Sequence, residues 1–147
     1  MYEESLKIKR LQKPVLESDI ATSYIKIGYM NVKKGDYSKA LEYYKNAEGI
    51  LVKEFGPEHS SLLTVYIELG NFYGKIGEFD LSLNYHGKSH AIIQRDFGPE
   101  HFENANHYFN IAGCFLGQGQ YLEALHNYSK GRDFYIRKFG KNHLNVV

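Results

Sequence analysis

Two loops of the sequence place a glutamate directly before a histidine, a combination that can transfer protons in an active site. Glu58 and His59 form one pair, and Glu100 and His101 form the other, 42 positions later. A catalytic pair occurs once in a chain and lies beside other reacting groups. Because this pair is repeated in the same setting, we interpret it as structural, with both histidines bonding the loop backbone or the start of the next helix.

Metal binding and thiol chemistry are the other possibilities that the residues raise. His86 and His90 lie four positions apart, a spacing that can bind a metal on one helix face. The residues between them are Gly-Lys-Ser, so the zinc-protease motif is absent, and we expect His86 to be a packed ring. Cys114 has no basic neighbour and is expected to be a small buried side chain. We predict no catalytic site, no metal and no cofactor.

The overall charge excludes several classes of partner. The chain has 18 basic and 17 acidic residues, which gives a net charge of +1. Such a balance provides no general attraction for nucleic acid or an anionic membrane. A single cysteine and an N-terminus that carries Glu3 and Glu4 give no sign of a secreted protein. We therefore expect a cytoplasmic protein that binds neither nucleic acid nor membranes.

An internal repeat organises the chain. The segment Phe-Gly-Pro-Glu-His at 55–59 recurs letter for letter at 97–101, and a third copy at 139–143 keeps the Phe, Gly and His. Consecutive copies are 42 positions apart. This spacing predicts three repeats, which we bound as 18–59, 60–101 and 102–143.

The apolar residues within each repeat follow a helical period. They recur at steps of three and four in two runs per repeat, and Gly35, Gly77 and Gly119 fall between the runs. Glycine adopts the left-handed conformation that ends a helix, so each one predicts a tight turn. The sequence thus predicts an all-α fold in which every repeat is a helix, a short turn and a longer helix.

Large, small and aromatic residues occupy matching positions in the three repeats. They read Tyr24-x-x-Ile27-Gly28 with Gly35, Tyr37 and Ala40; Tyr66-x-x-Leu69-Gly70 with Gly77, Phe79 and Ser82; and Tyr108-x-x-Ile111-Ala112 with Gly119, Tyr121 and Ala124. This pattern resembles the tetratricopeptide repeat, and its length and Gly-Pro-acid-His ending resemble kinesin light chains. The resemblance implies an α-solenoid, a superhelix of antiparallel helix-turn-helix hairpins.

Close packing explains the small residues in this pattern. Gly28, Gly70 or Ala112 would let the two helices of a hairpin approach, and Ala40, Ser82 and Ala124 would face them from the second helix. Three positions depart from the family pattern: Asn31 and His86 stand where it has aromatic rings, and Gly131 where it has alanine.

Both ends of the sequence lie outside these three repeats. We interpret residues 1–17 as part of the second helix of a preceding repeat, with Pro14 as its stop, and 144–147 as the start of a following helix. The third repeat is as apolar as the others, whereas terminal repeats usually carry a polar cap. We therefore expect a fragment of a longer protein.

The resemblance also indicates where a ligand would bind, because in this family the first helix of each repeat lines a concave groove. Residues away from the packed stripe are expected to line that groove: Thr22, Ile25, Lys26, Tyr29, Lys33, Thr64, Ile67, Glu68, Asn71, Lys75, Asn106, Phe109, Asn110 and Gly113. Of the paired asparagines typical of kinesin light chains, only Asn110 is kept.

Two functions from different classes fit the sequence. The first is a non-catalytic scaffold that binds a partner peptide, extended or acidic and aromatic, in the groove. The alternative is a structural array within a larger cytoskeletal or signalling protein, which self-associates through uncapped end helices near Phe134 and Ile136. A regulatory domain attached to an enzyme elsewhere in the parent chain also remains open.

Overall fold

The computed structural model describes residues 13–140, with side chains from residue 16 onward. Within that range the chain is helical and contains no strand, which confirms the all-α prediction. It forms α1 (Lys13–Lys34), α2 (Tyr37–Phe55), a 3₁₀ turn (Ser60–Leu62), α3 (Leu63–Lys75), α4 (Phe79–Phe97), α5 (Glu103–Gly117) and α6 (Tyr121–Phe139). None of these helices combines the length and the apolar character needed to cross a bilayer.

The chain divides into two compact units. The N-terminal unit is Met1–Glu68 and holds α1, α2 and the first part of α3. The C-terminal unit is Leu69–Val147 and holds the rest of α3 with α4, α5 and α6.

Glycines in the left-handed conformation end the helices at the positions that the sequence predicts. Gly35, Gly77 and Gly119 have φ values of 82°, 86° and 77° in the turns within hairpins. A second set ends α2, α4 and α6, with φ between 83° and 87°: Gly56, Gly98 and Gly140. Any side chain would be strained there, so these turns need glycine.

In the N-terminal unit, α1 and α2 pack as an antiparallel hairpin around Gly28. A side-chain carbon added at Gly28 would lie 2.7 Å from Cε1 of Tyr44. The residue that faces Gly28 is therefore the Tyr44 ring, rather than the Ala40 that the sequence suggested. Ala40 is fully buried one turn earlier in α2. The helices α1 and α2 pack closely because the Tyr44 ring fills the space that the missing side chain of Gly28 leaves.

In the C-terminal unit, α3 and α4 pack around Gly70 in the same way. A carbon added there would lie 2.6 Å from Cε1 of His86. Ser82 faces Gly70 as predicted, and its hydroxyl donates a 2.7 Å hydrogen bond to the Gly70 carbonyl. The rings of Tyr73 and Tyr85 stack beside this contact, with centroids 5.7 Å apart.

In the hairpin of α5 and α6, the glycine and the ring that packs on it have exchanged helices. Here the glycine is Gly131 on the second helix, and the ring that occupies its missing side chain belongs to Phe109 on the first helix. Ala112 and Ala124 are buried as expected. The departure from alanine at position 131 thus admits a ring that alanine would exclude.

The chain ends differ from the expectations where the structure describes them. Helix α1 begins at Lys13, so residues 13–17 are part of α1, and Pro14 lies in its first turn, where a missing N–H costs no helical bond. The expected helix of a preceding repeat at residues 1–12 and the following helix at 144–147 lie outside the described residues. Phe134 is only 4% exposed, so the expectation that it forms an open apolar end is wrong.

Candidate functional site

The glutamate–histidine loops are structural in their geometry. Nδ1 of His59 accepts the Ser61 N–H at 3.1 Å, and Nδ1 of His101 accepts the Glu103 N–H at 3.2 Å. The His59 ring stacks on Phe55 with centroids 4.7 Å apart. Both histidines therefore cap the start of the next helical segment, which confirms their predicted structural role.

The groove residues expected in the N-terminal unit lie mainly at the surface. Thr22, Lys26, Tyr29, Lys33 and Thr64 are exposed, whereas Ile25 and Ile67 are half-buried. The Lys33 ammonium lies 5.1 Å from the centroid of the Tyr29 ring, a cation–π contact on the surface of α1. A role for these residues in binding stays a prediction.

In the C-terminal unit, several predicted residues line one cleft of about 320 Å³. Asn71 and Lys75 reach it from α3, and Asn110 and Gly113 reach it from α5. The other lining residues are Gly70, Gly74, Phe79, Ser82, His86 and Cys114. The cleft thus brings together amides and a lysine from two first helices, and its floor is formed by His86 and Ser82 of α4 with Cys114 of α5.

The other two residues predicted on α5 make contacts within their own helix or hairpin. The Asn106 side-chain amide donates to the Glu103 carboxylate at 3.1 Å. The Phe109 ring stacks on Tyr135 with centroids 5.8 Å apart, in addition to its contact with Gly131. Both side chains are half-buried, so only part of each is accessible to a ligand.

The floor of the cleft was not predicted as part of a site. His86 is 2% exposed, and burial lowers its pKa to about 4, so the imidazole is neutral at pH 7. Among the described residues, no hydrogen bond is made by this imidazole. The one sequence signal was that histidine replaces the family's aromatic residue at this position.

Cys114 and Ser82 form the other buried polar part of the floor. The Cys114 sulfur lies 3.1 Å from the Ser82 hydroxyl and is 4% exposed. Burial raises the pKa of the Cys114 thiol, which therefore stays protonated at neutral pH. The prediction of a small buried side chain is confirmed.

His90 and His107 form a stacked pair of rings close to His86. The rings of His90 and His107 are parallel, with centroids 3.8 Å apart, and burial lowers the pKa of His107 to about 3. The lone pairs of an imidazole lie in the plane of its ring. Two stacked, parallel rings therefore cannot both direct a nitrogen at the same metal ion. Within residues 16–140, no group of three or more histidine, cysteine, aspartate or glutamate side chains is arranged to hold a metal.

Comparison with known proteins relates this helical fold to others. No curated protein sequence matches the chain at a significant level. The crystal structure of BtubC (BKLC) from P. vanneervenii superposes with a TM-score of 0.75 at 19% identity, over 97% of this chain and 57% of that one. The chain therefore spans little more than half the length of BtubC.

A second similar structure is the N-terminal domain of stress-induced protein-1 (STI-1) from C. elegans. Its TM-score is 0.62 at 16% identity, over 86% of this chain and 89% of that one. At such identities both likenesses concern the fold alone. The model of the tetratricopeptide repeat family matches residues 61–137, more than half of the sequence. The chain belongs to the tetratricopeptide repeat family, whose repeats form protein-interaction modules.

Proposed function

We propose that this chain is a non-catalytic scaffold that holds an extended segment of a partner protein in the cleft between α3 and α5. The observation that carries the proposal is the shared location of Asn71, Lys75 and Asn110, which line one cleft from two different helices. A pocket with a few convergent polar groups is the usual form of a binding site.

The lining favours a particular kind of peptide. Side-chain amides such as those of Asn71 and Asn110 can bond the backbone of any extended segment. Lys75 is exposed at the rim and favours an acidic residue nearby, and Phe79 offers an apolar surface. We infer an extended ligand that combines backbone contacts with an acidic and an apolar or aromatic side chain.

The type of repeat is part of the same proposal. Helices α2, α4 and α6 begin at Tyr37, Phe79 and Tyr121, at steps of 42 residues, and each is 19 residues long. This spacing supports a long repeat of the kinesin light chain type. We propose that the module acts in the cytoplasm and that the predicted groove residues of α1 also bind a partner segment.

Substitution of the cleft tests the proposal. Asn71→Ala, Lys75→Ala and Asn110→Ala combined should lower capture of partner proteins from native lysate, and binding of peptides mapped from them, by more than about tenfold. Thermal unfolding should change little, because these side chains lie at the cleft surface.

The matched control uses the same residue types elsewhere. Asn46→Ala, Lys53→Ala and Asn84→Ala change exposed positions on α2 and α4 that do not line the cleft. This variant should bind as the parent does. Equal capture by the cleft variant and the parent would refute a role for the cleft.

The alternative, a self-associating structural array, is supported by α6. Tyr121, Leu122 and Leu125 are 69%, 80% and 63% exposed. Apolar side chains clustered in this way often mark an interaction surface. Light scattering of the parent should then show a concentration-dependent dimer, and Leu122→Glu with Leu125→Glu should abolish it. A parent that remains monomeric would rule this alternative out.

A further inference from the structure

The buried imidazole of His86 has no hydrogen-bonding partner among the described residues, although it lines the cleft. In the N-terminal unit, Tyr44 occupies the matching position 42 residues earlier and donates a 3.4 Å hydrogen bond to Glu68. The residue that matches Glu68, 42 positions later, is Asn110, and it lines the cleft with His86. The ring of the first hairpin thus has its polar group bonded by the next helix, whereas the matching ring of the second hairpin lines a cleft.

The polar groups of this floor are uncharged, and they can both donate and accept hydrogen bonds. A neutral imidazole has one N–H donor and one nitrogen acceptor, and each side-chain amide of Asn71 and Asn110 also has both. Because the imidazole and both amides each offer a donor and an acceptor, the floor matches a ligand that supplies both. Lys75, the charged residue of the lining, is exposed.

We propose that the floor of the cleft binds an uncharged amide of the partner segment, with the His86 imidazole as its hydrogen-bonding partner and Asn71 and Asn110 beside it. This inference rests on the proposed function, and it identifies the group that enters the cleft. The amide belongs to the partner's peptide backbone or to an asparagine or glutamine side chain.

Other groups fit the floor less well. A carboxylate accepts hydrogen bonds only and would bring a negative charge to a floor whose ring is 2% exposed and neutral. An apolar side chain would cover the imidazole without satisfying it. An amide has the donor and the acceptor that the three lining side chains match.

Four small probes test this inference by NMR on the chain labelled with ¹⁵N-histidine. N-methylacetamide represents the backbone amide, propionamide the side-chain amide, propionate the matching carboxylate, and methyl acetate a group without a donor. We expect both ring nitrogens of His86 to shift with the amides, at dissociation constants at least about fivefold lower than for propionate or methyl acetate. The tighter of the two amides identifies the source. His126, which is exposed on α6, is the internal reference.

Two results would overturn the inference. One is propionate or methyl acetate binding at His86 as tightly as the amides. The other is no His86 shift with either amide at concentrations up to about 0.1 M, well above the millimolar constants typical of weak ligands.

The variant His86→Phe provides a second measurement. It keeps a flat ring against Gly70 but removes both nitrogens, so amide binding followed at the Asn71 and Asn110 side-chain signals should weaken about tenfold or more. Unchanged amide binding by this variant would count against the inference. If the variant does not fold, the ¹⁵N shifts of the parent still decide.

Failure of this inference differs from failure of the proposed function. If propionate binds best while the triple cleft variant still loses its partner, the chain remains a peptide scaffold and only the amide preference is wrong. If the triple variant keeps its partner, the cleft is not the binding site, whatever the small probes show.

Discussion

The N-terminal and C-terminal units use the same packing around a glycine but treat the polar atom of the packed ring differently. Tyr44 on Gly28 is 1% exposed, and His86 on Gly70 is 2% exposed. The Tyr44 hydroxyl is bonded to Glu68, and burial raises the pKa of both groups. The His86 imidazole faces a cleft instead. The comparison teaches that the same ring position can carry a bonded polar group in one hairpin and face a cleft in the next.

The shared glycine contact should show the largest effect. Gly28→Leu and Gly70→Leu each place a side chain where a ring already lies, so each should lower the free energy of unfolding by about 1–3 kcal/mol or more. Urea unfolding measures the change. Gly87→Ala is the control, because Gly87 has open space around it in α4 and alanine there should stabilise by up to about 1 kcal/mol. A Gly70→Leu variant as stable as the parent would show that this packing is wrong.

Low pH should destabilise the hairpin that contains His86 more than the hairpin that contains Tyr44. The folded pKa of His86, about 4, lies below its unfolded value of about 6.5, so folding favours the neutral ring. Its contribution is complete above about pH 6.5 and is lost as the pH falls towards 4. Between pH 7 and 5 we expect His86 alone to account for a loss of about 2 kcal/mol.

Urea unfolding at both pH values measures this loss, and His86→Phe should reduce it by a similar amount. Hydrogen exchange should locate the acid-sensitive opening in the α3–α4 hairpin before the α1–α2 hairpin. Equal pH dependence of the parent and His86→Phe would contradict the burial of a neutral ring.

The bonded ring of the N-terminal unit should show a smaller effect. Tyr44→Phe removes the hydroxyl that donates to Glu68 and should cost about 1 kcal/mol. A double-mutant cycle with Glu68→Gln, measured by thermal unfolding, isolates the coupling. His86→Phe at pH 7 should lose no such coupling with Asn110→Ala. A coupling near zero between Tyr44 and Glu68 would remove the contrast between the two hairpins.

The smallest effect is expected where the two units are alike. His59→Ala and His101→Ala each remove one cap at a loop, and each should cost about 0.5 kcal/mol, at the low end for caps because the loops lie near the surface. Thermal unfolding of the two variants should give equal shifts. A much larger shift for one would mean that its loop has a further role.

Spacing explains what the sequence could predict. The glycine turns, the helix pairs and the capping histidines depend on local residue types that recur at a fixed interval. Asn71, Lys75 and Asn110 could be assigned to one surface because the family resemblance places the first helices along a groove and helical periodicity sets the direction of each side chain.

The remaining features depend on contacts between helices. The ring that faces Gly28 is Tyr44 rather than Ala40, because ring placement depends on how closely two helices approach. Phe109 packs on Gly131 because a neighbouring helix lacks a side chain there. The importance of His86 lies in a partner that it lacks, which no residue pattern reveals.

Cys114 makes the cleft observable by chemistry. It is the single cysteine of the chain, and its thiol is buried and protonated at the floor. An alkylating reagent can therefore reach it only when the helices around it open transiently, so the labelling rate measures how often they do so. An occupant of the cleft would slow that rate, which gives a read-out of occupancy that needs no engineered label.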